Sequence, residues 1–283
     1  MRGHTIPTDW LSGAFPDLLK ITPLDAGGQK QVFTCQHPEH GDVVLKLFHA
    51  GSEPKRAIRE IEAIRAINSI RIPRLIAFGD MNTPDGYVIW LLEEYLKGQS
   101  LRKVIQDGFL DTRNVLRIGR HVLECLTIAE SVRIVHRDIK PENLIADIDR
   151  GCTWVLDFGI ARHLDLQSLT ATSDIVGIGT PGYSPPEQLR NLKYAIDTRT
   201  DIFALGVTLY ECLTGVNPYR EGARDAMEVW RRVETQDLPA YEGPEDIREL
   251  IYIFTQRQRN YRPPTAKFAL DWIGDVCRSH GVD

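Results

Sequence analysis

The stretch VHRDIKPENLIADIDRGCTWVLDFG, residues 135–159, sets an aspartate behind a histidine and an arginine, as His136-Arg137-Asp138. A lysine follows two residues on (Lys140) and an asparagine five residues on (Asn143). Nineteen residues beyond Asp138 begins a second group, Asp157-Phe158-Gly159. His-Arg-Asp alone is common by chance. The complete pattern H-R-D-x-x-x-x-N, followed at this distance by D-F-G, is very specific.

These residues closely resemble the protein kinase family in its Ser/Thr-type Hanks branch, and the resemblance covers about residues 20–275. It implies an α+β class and a bilobal fold. A small antiparallel β-sheet lobe with one helix is expected over residues 1–96, and a larger, mainly helical lobe over 97–283. It also implies ATP as phosphoryl donor, Mg²⁺ (or Mn²⁺) as metal, and protein substrates with Ser or Thr acceptors. Phosphoryl transfer depends on positioning and charge neutralisation more than on covalent catalysis. Under the resemblance Asp138 orients the acceptor hydroxyl and takes its proton. Asn143 and Asp157 supply oxygen ligands to a hard cation, and Lys140 lies against the moving γ-phosphate. A lysine at that position resembles Ser/Thr rather than tyrosine kinases.

Upstream, Val43-Val44-Leu45-Lys46 stands in the place of the family's V-A-I-K strand. The resemblance gives Lys46 the α/β-phosphates and a glutamate partner on the next helix. Glu60 is the best match, with Glu62 on another face of that helix as the alternative. Val44 replaces the usual alanine over adenine. Aligning Val32 with the valine of G-x-G-x-x-G-x-V puts Asp25, Gly27 and Lys30 at the three glycine positions, with Gly28 as an extra glycine. Glycine there permits positive φ and lets backbone N–H groups approach phosphate; Lys30 offers side-chain charge instead. Counting back from Gly98 puts Glu93 at the gatekeeper position, whereas a one-residue strand bulge would put Leu92 there. Glu94 and Leu96, just beyond, count among the nucleotide-binding positions.

Downstream, GTPGYSPPEQ (179–188) resembles the end of an activation segment, with Pro185-Pro186-Glu187 for the common Ala-Pro-Glu. Thr180 matches a threonine that bonds near the catalytic aspartate and lysine. Asp201 matches an acceptor for the His136-Arg137 backbone, and Arg262 the partner of Glu187. Arg137 matches an arginine that reads activation-loop phosphorylation. Ser168, Thr170, Thr172 and Ser173 are the candidate sites for that modification.

The bulk numbers agree with such an enzyme. The chain has 283 residues, 42% hydrophobic and 26% charged, with a formal net charge of −5, so it is not built to neutralise nucleic-acid phosphates. Five scattered cysteines make no disulfide framework. MRGHTIPTDW has no apolar core, and no run of ~18 apolar residues occurs. No nucleic-acid or membrane partner is expected, the expected location is cytoplasmic, and oligomeric state is not readable.

Strands are expected in LLKITPLD, KQVFTCQ, DVVLKLF and GYVIWLLEEYL. A helix is expected after Ser52, with Ile58, Ile61, Ile64 and Ile67 on one stripe. TRNVLRIGRHVLECLTIAES, REGARDAMEVWRRVET, PEDIRELIYIFTQ and TAKFALDWIGDVCRS read as helices, and DIFALGVTLYECLTG as a helix buried all round. Three functions compete: an active Ser/Thr protein kinase, a pseudokinase that binds nucleotide without transfer, and a small-molecule kinase. Intact Lys46, Asp138, Asn143 and Asp157 favour the first. The altered glycine loop and Glu93 speak for the second, and the full activation segment speaks against the third.

Overall fold

The computed structural model describes residues 6–27, 30–49, 61, 65, 67–108, 110–158 and 179–282. The chain divides into two compact units, and the expected α+β class is found. One unit contains the described residues up to 65 together with 73–96; the other contains 67–72, 97–158 and 179–282. Residues 67–72 therefore group with the second unit rather than the first. There Arg71 Nε bonds Glu124 at 2.8 Å, and the Arg71 carbonyl accepts from Val155 N–H at 2.7 Å.

The first unit opens with a short helix, α1 (Thr8–Ala14), and continues as β1 (Leu19–Gly27), β2 (Lys30–His37), β3 (Gly41–His49), β4 (Leu75–Thr83) and β5 (Gly86–Glu94). These strands form one sheet in the order β1-β2-β3-β5-β4, antiparallel throughout. Both faces of the central strands are covered, which is why β3 and β5 read as near-continuous apolar runs. On one face Phe33, Val43, Leu45, Leu47 and Leu92 pack with Ile6, Leu11 and Leu18 from the N-terminal segment. On the other, Phe48, Ile89 and Leu91 pack with Ile61. Each such buried side chain contributes ~1.5–3 kcal/mol. Ile61 is helical, and with Ile67 it is the described part of the isoleucine stripe; both are buried. Gly28, Glu60, Ser168, Thr170, Thr172 and Ser173 lie outside the described residues.

Two elements of this unit were not expected. β4 is only partly buried along its length, so its alternation is diluted by Gly79, Asp80 and Asn82. α1 is too short for a helical period to show.

The second unit is mainly helical. A small sheet joins β6 (Gln99–Ser100), β7 (Leu144–Asp147) and β8 (Cys152–Val155). The helices are α2 (Leu101–Asp107), α3 (Thr112–Ser131), α4 (Pro186–Leu189), α5 (Thr198–Thr214), α6 (Ala226–Thr235), α7 (Glu245–Phe254) and α8 (Ala266–Ser279). Side-chain caps start them where the sequence offers Asx or Thr. Asp111 accepts from Asn114 N–H, Asp197 from Arg199 N–H, and Thr265 from Phe268 N–H. α5 is buried on nearly every side, as its composition predicts. α3 passes close to α5 and α8 at Gly119, where a Cβ would come within 2.6 Å of Ile273 Cδ1 and 3.0 Å of Leu209 Cδ1.

Among the described residues no helix is long and apolar enough to cross a membrane. All five cysteines are free. A buried ion pair ties α4 to the chain before α8: Arg262 Nη1 lies 2.6 Å from Glu187 Oε1 and Nη2 3.1 Å from Oε2. Arg262 also donates to the carbonyls of Gln256, Arg199 and Arg257 and sits 4.8 Å over the Phe203 ring. Its side chain is wholly buried. Removing one partner of such a pair leaves an uncompensated charge. Glu187→Ala is therefore expected to cost ~3–5 kcal/mol of stability in chemical denaturation.

Candidate active site

In the second unit the arrangement around Asp138 begins at α5. Asp201, in the first turn of α5 and only 1% exposed, accepts two backbone bonds. They come from His136 N–H at 2.8 Å and Arg137 N–H at 2.7 Å. Asp138 N–H donates to His136 Nδ1 at 3.2 Å. His136 Nδ1 is therefore an acceptor, and Nε2 carries the hydrogen donated to the Leu156 carbonyl at 2.7 Å. The same ring packs on Phe158 with centroids 4.7 Å apart. One histidine thus links the His-Arg-Asp segment to the Asp-Phe-Gly segment. Two non-glycine residues here have left-handed backbones, Arg137 (φ 65°) and Asp157 (φ 54°). Each costs ~1–2 kcal/mol, and such strain gathers where surroundings over-determine the backbone. Gln188 Nε2 helps at Arg137, donating to its carbonyl at 2.8 Å.

The Asp138 carboxylate stands in a closed polar ring. Thr180 Oγ1 donates to Asp138 Oδ1 at 2.7 Å. Lys140 Nζ lies 2.9 Å from Asp138 Oδ2 and donates to Thr180 Oγ1, also at 2.9 Å. Asn143 Nδ2 donates to the Asp138 carbonyl at 2.8 Å and to Oδ2 at 2.9 Å. Both bonds use the amide nitrogen, so the Oδ1 carbonyl is the atom Asn143 offers to a hard cation. Asn143 reaches this position through the 3₁₀ turn Pro141–Asn143, and its own carbonyl accepts from Leu156 N–H at 2.8 Å. Thr180 is placed by the Pro181-Gly182 turn. Gly182 has φ 89°, and Tyr183 N–H returns to the Thr180 carbonyl at 3.1 Å.

A second cluster adjoins the ring and was not read from the sequence. Arg102 on α2 donates to Glu142 Oε1 at 2.9 Å, to Glu211 Oε1 at 2.6 Å and to the Tyr183 hydroxyl at 2.6 Å. The Tyr183 hydroxyl donates to Glu211 in turn. Burial, then the Glu211 carboxylate, push that hydroxyl well above its ordinary pKa, so it stays protonated as a donor. One signal was available: Glu211 and Asp201 are the two acidic residues in the otherwise apolar run DIFALGVTLYECLTG.

In the first unit, register decides which residues share a face. Val32 is paired with Lys46, Lys46 with Leu91, and Val44 with Glu93. Directly paired residues point the same way, so Val32, Val44, Lys46 and Glu93 line one face. The β3–β5 ladder runs from Val43↔Glu94 to His49↔Val88 without a shift. The irregularity in β5's other ladder, between Leu75 and Ala77, is in β4. The bulge that would exchange Leu92 for Glu93 is therefore absent from β5, and Leu92 belongs to the opposite face.

Lys46 Nζ pairs with Glu93 Oε2 at 2.5 Å. Gly27 and Lys30 close the β1–β2 hairpin as a paired position. Glu94 Oε1 accepts from Arg74 N–H at 2.9 Å, and Leu96 is half-buried beyond the strand.

Residues 20–271 match the family described as the protein kinase domain. The chain belongs to the protein kinase family. Among its relatives, a probable serine/threonine-protein kinase, PkwA of Thermomonospora curvata, is 31% identical over 265 residues, 90% of this chain and 34% of that protein. The serine/threonine-protein kinase PknB of Mycolicibacterium smegmatis is 32% identical over 203 residues, 69% of this chain and 32% of that protein. PknB of Mycobacterium leprae is 31% identical over 232 residues, 79% of this chain and 36% of that protein. The chain spans about a third of the length of these curated relatives. Protein kinases use ATP and a divalent metal ion, and the oxygen donors of Asn143 and Asp157 fit a hard cation.

In this kinase domain the Asp201 carboxylate accepts from two backbone donors. Each buried donor left unmet costs ~1–3 kcal/mol. Asp201→Ala is expected to lose at least ~2 kcal/mol of stability, and Asp201→Asn, which keeps one acceptor oxygen, about half as much. Urea denaturation of the two variants checks both the sign and the order.

Proposed function

We propose that this chain is an ATP- and Mg²⁺-dependent Ser/Thr protein kinase acting on protein substrates in a reducing cytoplasm. The observation that carries the reading is the closed ring of Thr180, Lys140 and Asn143 around the Asp138 carboxylate. Such a ring holds one oxygen pair in a single orientation, which is what acceptance of a hydroxyl proton needs. The acceptor oxygen forms a bond to the γ-phosphorus as the bond to the β-bridging oxygen breaks. Its proton goes to Asp138, and ADP leaves with the bridging oxygen. Lys140 supplies a positive charge beside the transferring group, and Thr180 holds Asp138 and Lys140 in register. Asn143 Oδ1 and the Asp157 carboxylate would hold Mg²⁺, which when bound neutralises charge on the phosphates.

Val32 and Val44 are assigned to the adenine contact and Lys46 to the α/β-phosphates. Gly27, Gly28 and Lys30 are assigned to the phosphate loop, and Glu94 and Leu96 to the strand beside the base. Glu60 is retained as the helix partner of Lys46. A reducing cytoplasm is supported by five free cysteines. Arg137 is assigned as the reader of phosphate on Ser168, Thr170, Thr172 or Ser173, and peptide mass mapping after ATP incubation tests that modification.

The test of the activity uses labelled ATP, Mg²⁺ and a generic basic protein. Asp138→Ala is expected to lower transfer by roughly 10²–10⁴-fold, the usual contribution of a positioned base. Thr180→Val removes a hydrogen bond to a charged group, about 1.5–3 kcal/mol. It should lower kcat roughly 10- to 100-fold, while Thr180→Ser stays near the parent. Transfer unchanged in Asp138→Ala would overturn the proposal.

A further inference from the structure

Among the described residues of the first unit, Lys46 and Glu93 form a buried ion pair. Lys46 and Glu93 are diagonal neighbours on one sheet face, set there by the pairs Lys46↔Leu91 and Val44↔Glu93. Their charged atoms are 2.5 Å apart, and their side chains are 5% and 11% exposed. Their neighbours along the same face include Phe48 and Leu91, both buried apolar side chains. Charges buried this deeply are rare unless paired.

We propose that Glu93 is a built-in competitor of nucleotide phosphate for Lys46, and that it sets how strongly the site holds the phosphate chain. The inference rests on the assignment of Lys46 to the phosphates made above. A lysine ammonium has three donors and can serve more than one acceptor. Its charge, however, is already opposed at contact distance by a carboxylate held in place by β5. An approaching phosphate meets a lysine whose charge Glu93 already offsets, and it is repelled by the carboxylate itself. Low exposure keeps that opposition unscreened. The base and ribose carry no net charge, so their binding depends far less on the Glu93 charge than phosphate binding does.

The experiment measures the affinities of ATP, ADP and adenosine by calorimetry for the parent chain and Glu93→Gln, which keeps shape and removes charge. ATP and ADP are expected to bind about tenfold more tightly to the variant, within the usual range of site-to-site coupling, with adenosine unchanged. In a Lys46→Met background the gain from Glu93→Gln should shrink to the small part owed to direct repulsion. ATP and adenosine changing by the same factor would overturn the proposal, because the residue would then act on the base or on pocket shape. Weaker ATP binding in Glu93→Gln would overturn it as well, assigning Glu93 to positioning Lys46 for phosphate. Should Glu93→Gln fail to fold, Glu93→Asp withdraws the charge by one methylene and is expected to show a smaller gain confined to ATP and ADP. Failure of the parent chain itself to bind ATP or ADP would overturn the nucleotide reading beneath, separately from any effect of Glu93.

Discussion

The arrangement of the second unit depends on a single buried carboxylate accepting two backbone N–H groups. Asp201 lies in the first turn of α5, where the helix dipole favours negative charge. Its bonds to His136 and Arg137 fix a chain segment that otherwise has no regular structure. With those two amides held, Arg137 takes a left-handed backbone, and Asp138 comes under the His136 ring that accepts its N–H. The strain at Arg137 persists because Asp201 and Gln188 both grip that residue's main chain.

Around that anchor the unit places charge with little net surplus. Asp138 faces Lys140, Glu187 faces Arg262, and Arg102 answers both Glu142 and Glu211. The buried Glu187–Arg262 pair is a weak source of stability, since desolvation offsets most of the attraction, and the part-exposed pairs contribute little. Their use here is geometric. Arg102 joins the 3₁₀ turn Pro141–Asn143, through Glu142, to the turn that carries Thr180, through Tyr183. Arg262 joins α4 to the chain preceding α8. The segments so tied are short and irregular, and they have few backbone bonds of their own to define them.

The sheet of the first unit solves a different problem. Its central strands are covered on both faces, so a charged side chain on β3 or β5 must be matched within the sheet or answered by a ligand. Lys46 and Glu93 match each other because their register makes them diagonal neighbours. A buried ion pair thus follows from ordinary strand pairing.

Motif residues within a few positions of one another were legible from the sequence alone. His136 to Asn143, Asp157 to Gly159, the buried α5 and the long helix α3 all follow from local patterns, where spacing and period carry the information. The α+β class and family membership followed from them. Tertiary structure alone decided which distant groups meet. Glu93 rather than Leu92 faces Lys46 because β3 and β5 pair without a bulge, and nothing local in LLEEYL reveals that register. Arg102, Tyr183 and Glu211 form one cluster across more than a hundred residues of chain. β4 showed no clean alternation because its partial burial applied little pressure on its composition. The sequence determined the chemistry available, because residue type and short spacing are local. The fold determined which charges oppose one another, because pairing across strands and helices is set by packing over the whole unit.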